Sequence, residues 1–172
     1  MSNSLTTFLS FFAALLLIVV IFRIVGFDKL WRILAGPADK GPVDFATLRK
    51  SRKPNQFLLA PENYCKNETP DKISPTYSLS AEELKQKLLA SLENEQNLER
   101  VDDGSSALSL RFVQRSKKLR FPDTIPVEII PLDGSKSTIV FYSQSQIGYR
   151  DFGVNRARIM RWLRRLEEFE AD

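Results

Sequence analysis

The stretch TIPVEIIPLDGSKSTIVFYSQS, residues 124–145, carries the alternation that decides the fold. Ile125, Val127 and Ile129 recur at every second position before Asp133-Gly134, and Ile139, Phe141 and Ser143 do so after it. A period of two on either side of an Asp-Gly turn predicts two strands joined as a hairpin. Pro126 and Pro131 break the donor pattern of the first strand, which predicts an edge position or a bulge.

Outward from the hairpin, NLERVDDGSSALSLRFVQRS (97–116) reads as a short strand, a turn at Asp103-Gly104 and a second strand. Leu108, Leu110 and Phe112 share one side of that strand, and Arg111, Val113 and Arg115 the other. Before it, SLSAEELKQKLLASLENE (78–95) opens with Ser80 and Glu83 in capping-box spacing. Leu84, Leu88, Ser91 and Leu92 then mark one helix face. After the hairpin, VNRARIMRWLRRLEEFE (154–170) places Ile159, Trp162, Leu163, Leu166 and Phe169 on one stripe, with Arg156, Arg161, Arg164 and Arg165 mostly facing away. With a further strand upstream, the order is β-α-β-β-β-β-α. The expected fold class is α+β, a small antiparallel sheet with two helices packed on one face.

Residues 36–77 hold six prolines and read as an irregular segment. Phe45, Leu48, Phe57, Leu58 and Leu59 within it need cover, so it should wrap the domain. Asn67-Glu-Thr matches a glycosylation sequon, a pattern short enough to arise by chance.

The N-terminus differs in kind. LTTFLSFFAALLLIVVIF, residues 5–22, has no charge, and at helical rise it covers about 27 Å. An uncleaved transmembrane helix is expected rather than a signal peptide, because no basic residue precedes it and no small-x-small site follows. RIVGFDKLWRILAG (23–36) spaces Ile24, Phe27, Leu30, Trp31 and Leu34 as a short amphipathic helix at the headgroup layer, ended by Gly36-Pro37. The chain therefore divides into an anchor (1–22), a basic juxtamembrane segment and linker (23–53) and a soluble α+β domain (54–172). Residues 23–53 hold eight basic and three acidic residues, whereas 54–172 is nearly neutral. Basic residues after the span predict an outside N-terminus and a cytoplasmic domain, with a periplasmic domain as the alternative. The same residues suit anionic lipid.

The chain has no histidine and one cysteine, Cys65. That disfavours a zinc site and a Ser-His or Cys-His nucleophile, so no metal and no cofactor are expected. The arginines of 156–165 run directly into Glu167, Glu168 and Glu170 without interleaved aromatics, so nucleic acid is not expected as a partner.

YSQSQIGYRDFGVNRAR (142–158) and QRSKKLRFPD (114–123) hold the polar residues that invite a role. They read two ways. In one, Gly148 and Gly153 permit a tight strand-to-helix corner, Asp151 or Asn155 caps the helix and Phe152 packs back as a staple. In the other, Arg115, Ser143, Ser145, Asp151, Asn155, Arg156 and Arg158 converge as a carboxylate or phosphate pocket at a helix N-terminus. A carboxylate pair, Asp123 and Asp151, is the third and weakest reading, a hydrolase using the Arg/Ser cluster.

The order Arg-Ser, Phe-Pro-Asp, YSQS and DFGVNRARI…WL, with PNQFLLAPENYC upstream, resembles the domain-of-unknown-function 1499 family over about residues 54–169. Gln144 stands where that family often has Arg. The resemblance implies an architecture and a membrane or envelope association, and no substrate. Some relatives resemble exported anchors, which favours the periplasmic alternative. The expected function is a membrane-tethered binding or scaffolding module for a protein or anionic ligand, in a bacterial inner membrane.

Overall fold

The alternating stretch forms the two longest strands of a computed structural model that describes Ser2 to Ala171, with side chains described from residue 6 onward except those of 21–23 and 25. In chain order the elements are α1 (Ser2–Val25), α2 (Phe27–Ala35), β1 (Gln56–Ala60), β2 (Lys72–Ile73), β3 (Thr76–Tyr77), α3 (Ala81–Leu92), β4 (Leu98–Arg100), β5 (Ser109–Arg115), β6 (Pro122–Pro131), β7 (Ser137–Ser145) and α4 (Val154–Arg164). A short 3-10 turn, Glu167–Phe169, follows. The β6–β7 turn closes on Asp133, whose Oδ1 accepts the amides of Ser135 and Lys136 at 2.7 Å each.

The strands form one sheet in the order β2-β1-β7-β6-β5-β4, with β3 also paired to β7. All pairings but one are antiparallel; β1 and β2 run parallel. The sheet is therefore mixed rather than antiparallel throughout. The loop 61–71 carries the chain back to β1, where Asp71 accepts from the Leu58 amide and donates its own amide to the Leu58 carbonyl. β2 then leaves beside β1 in the same direction.

β6 is not an edge strand. It lies between β5 and β7, and its pairing to β5 is unbroken across Pro126. On the β7 side the pairs stop at Thr124↔Gln144 and resume at Val127↔Phe141 in the same register. Pro126 has no N–H to give, so it costs a local gap in the ladder and no bulge.

One face of the sheet carries α3 and α4. Leu84, Leu88 and Leu92 meet Ile159, Trp162, Leu163 and Leu166 over Leu110, Phe112, Ile125, Val127, Ile129, Ile139 and Phe141. Trp162 is fully buried, with its ring edge-on to Phe112 and Phe141 at 5.9 and 5.8 Å. The expected capping box forms: the Ser80 side chain accepts from the Glu83 amide, and Glu83 accepts from the Ser80 amide. The other face is covered by the proline-rich segment, whose Phe45, Leu48 and Cys65 pack with Leu58, Ala60, Val140 and Tyr142. The wrapping expected from those apolar residues is present.

Among the described residues no helix is long and apolar enough to cross a membrane. The transmembrane span expected over 5–22 is thus not supported there, and part of it lies outside the described side chains. What is described of the side chains of α1, residues 6–20 and 24, is uncharged and exposed on every side. α2 is docked. Trp31 Nε1 donates to the Leu119 carbonyl at 2.6 Å, its ring lies 4.9 Å from Phe121, and Asp28 accepts two bonds from Arg120 at 3.0 and 2.7 Å. Further along, Asp39 takes a two-point ion pair from Arg111 at 2.6 and 3.0 Å.

Candidate functional site

The corner between β7 and α4 is built around a guanidinium. Arg158 sits on the inner face of α4 and is 4% exposed. Its Nη1 donates to Ser143 Oγ and Asn155 Oδ1 at 2.7 Å each. Its Nη2 pairs with Asp123, and its Nε donates to Gln114 Oε1. Ser143 Oγ donates in turn to Asn155 Oδ1 at 2.6 Å. Asn155 Nδ2 donates to the Asn55 carbonyl, Ser145 Oγ and Asp151 Oδ2 at 2.9, 3.0 and 2.7 Å. Buried ions persist only when paired and hydrogen-bonded, and every nitrogen of Arg158 has a protein acceptor.

The helix start is capped from outside it. Gly153, at φ +80°, is the N-cap residue. Asp151 supplies the side chain, accepting from the Gly153 and Asn155 amides at 3.0 and 2.9 Å. Asn55 completes the corner by donating to the carbonyls of Ser145 and Gly148, 3.0 Å each. The hydrophobic staple expected of Phe152 does not form. Phe152 is 95% exposed, at φ +52°. With both Phe152 and Gly153 in the left-handed region, the chain turns the ring outward instead of back over the helix.

Of the seven residues singled out from sequence, five meet here: Ser143, Ser145, Asp151, Asn155 and Arg158. Arg156 is exposed on the outer side of α4. Arg115 lies elsewhere, pairing with Glu99 at 2.7 Å and approaching Asp28 at 3.5 Å. The carboxylates of Asp123 and Asp151 are both engaged, one by Arg158 and the other by the helix amides and Asn155. Ser145 also borders a cavity of about 260 Å³ lined by Lys40 and Lys53. Asn55 and Gln114 belong to the corner although only the quoted motifs PNQF and QRS had contained them.

A larger opening lies beside the corner. A cleft of about 520 Å³ separates α2 from the β5–β6 turn, lined by Asp28, Lys29, Trp31, Arg32, Arg115 and Arg120 among others. The hydrogen bonds from Arg120 hold the Asp28 carboxyl below its ordinary range, against the opposing effect of burial. Lys29 and Arg32 are exposed, and the described residues give them no acid partner. Of the four cations that line the cleft, Arg115 and Arg120 are engaged by Glu99 and Asp28, and Asp28 demonstrates how an oxyanion sits against Arg120. Among the described residues no group of His, Cys, Asp and Glu is placed to hold a metal.

The family described as Protein of unknown function (DUF1499) matches residues 48–166. A search of curated proteins found no match.

Proposed function

From the premise that the chain belongs to the DUF1499 family of proteins of unknown function, we propose that it is a membrane-tethered binding module that holds an anionic group at the lipid surface. The observation that carries this reading is the docking of α2. This helix presents Ile33 and Leu34 outward, 68% and 66% exposed, while Trp31 and Asp28 fasten it to the domain. It follows α1 after a break at Gly26, and in α1 Phe8, Phe11 and Leu16 are each more than 60% exposed. The uncharged run over residues 6–20, exposed on every side, needs an apolar phase, and lipid supplies one. The cation-lined cleft then stands at headgroup depth, where an arginine can grip phosphate or carboxylate with parallel hydrogen bonds.

The location that goes with this reading is a bacterial inner membrane, a single-pass α1 and a domain in the cytoplasm. The hydrolase alternative has no observation in its favour, because Asp123 and Asp151 are both occupied within the corner. The test is a titration of the full chain, in neutral detergent micelles, with short-chain phosphatidylglycerol. Lys29→Gln/Arg32→Gln should weaken binding roughly tenfold or more, since each basic residue near an anionic surface contributes about 1 kcal/mol. Equal binding by the variant, or none by the parent, would overturn the cleft as the site.

A further inference from the structure

Phe152 is a bulky side chain held in a backbone conformation that only glycine adopts readily. A residue stays in such a conformation when its surroundings impose it. Here they do: Asp151 grips the amides on the far side of Phe152, and Asn55 holds the Gly148 carbonyl. Both belong to the buried network of Arg158. Yet the residue so constrained packs on nothing, being 95% exposed, and Tyr149 in the same loop is 63% exposed. The constraint does not serve the core.

The loop's position suggests what it does serve. The strand registers bring the start of β1, the end of β5, the start of β6 and the end of β7 to one end of the sheet. That end also receives α2, through Leu119 and Arg120. Lys53, Lys117, Lys118, Arg150 and Arg156 are exposed around it. The opposite end, at the β4–β5 and β6–β7 turns and the C-terminal residues, is mixed, exposing Asp103, Asp133, Glu167 and Glu170 beside Lys72, Arg100, Lys136 and Arg164. The end that receives α2 thus gathers exposed Lys and Arg, with Asp28 and Glu99 among them engaged by Arg120 and Arg115.

We infer that the 149–153 loop is a lipid-engaging tip, in which Tyr149 and Phe152 enter the headgroup layer of an anionic membrane. Aromatic rings favour that layer, and the surrounding Lys and Arg complement its charge. The inference rests on the membrane-tethered reading and adds a second point of contact to it, remote in sequence from α1. The buried corner is then the brace that keeps the tip extended.

The test uses the full chain with Cys65→Ser and Val154→Cys, an environment-sensitive dye on the new thiol, and nanodiscs with or without phosphatidylglycerol. In anionic nanodiscs the dye emission should shift to the blue and be quenched by brominated lipid. Phe152→Gly should reduce both effects severalfold while leaving the thermal midpoint unchanged or raised, because no packing is lost and glycine suits the left-handed backbone. A merely structural residue would not separate the two readouts. A chain that enters the nanodisc with its dye fully in water overturns the tip and leaves the tether standing. A dye in water on nanodiscs but shielded in native membranes also overturns it, assigning the loop to a protein partner. A chain that does not enter nanodiscs overturns both readings.

Discussion

Arg156 and Arg158 stand two apart on one helix and have opposite fates. Arg158→Ala should cost about 3–5 kcal/mol, because it strands the Asp123 carboxylate, itself 7% exposed, without its ion. Arg156→Ala should cost under about 0.5 kcal/mol. Urea melts of the two variants in detergent check this, and similar losses would place both on the same side of the helix. From the sequence the two arginines were grouped in one pocket, although helical spacing alone separates them. The stripe through Ile159, Trp162, Leu163 and Leu166 extends backwards at helical spacing through Arg158 and Asn155, and polar residues on an apolar stripe are buried ones. What spacing could not supply were the partners Gln114 and Asn55, brought in from 41 and 100 positions before Asn155. Glu95 gives a pH test. Burial alone would raise its carboxyl, but bonds from Arg161, Arg165 and Gln114 outweigh that and hold it at about 2. A depressed carboxyl contributes stability above its unfolded value near 4.5, and loses it as pH falls towards 2. Stability should therefore decline across that window, and Glu95→Gln should flatten the decline.

At the scale of the element, α4 depends on its stripe. Trp162→Ala should cost about 3–5 kcal/mol, since the ring is fully buried between Phe112 and Phe141. Arg164→Ala, on the exposed side, should cost under about 0.5 kcal/mol, and equal small losses in chemical denaturation would mean that the stripe is not core. Gly153→Ala should cost about 1–2 kcal/mol by forcing a Cβ into the left-handed region, with no neighbour within 4 Å to clash. The elements themselves were largely legible: periods of two and 3.6, the capping box and both Asp-Gly turns lie where the residues place them. Two features were not. The prolines of β6 suggested an edge because propensity is local, whereas position in a sheet is decided by every strand that comes to pair. β2 is two residues long and polar, and its parallel pairing is created by where Asp71 returns the chain.

For the whole molecule, the proposed topology gives a further outcome to measure. A reporter active only outside the cytoplasm, fused after residue 172, should be silent, and strong activity would place the domain in the periplasm. The amphipathic helix was legible from Trp31 and its basic neighbours, but its attachment was not, because Asp28–Arg120 and Trp31–Leu119 span about ninety positions. That attachment changes how far the domain can search. Residues 26–53, were they a free flexible chain, would let it wander over about 30 Å. Fastened at Asp28, Trp31 and Asp39, the domain turns with its helix as one body. On the proposed membrane tether, its cleft would meet whatever diffuses laterally past it in its own leaflet. A target deeper in the adjoining compartment would have to come to the surface to be met, because the domain has no leash on which to go to it.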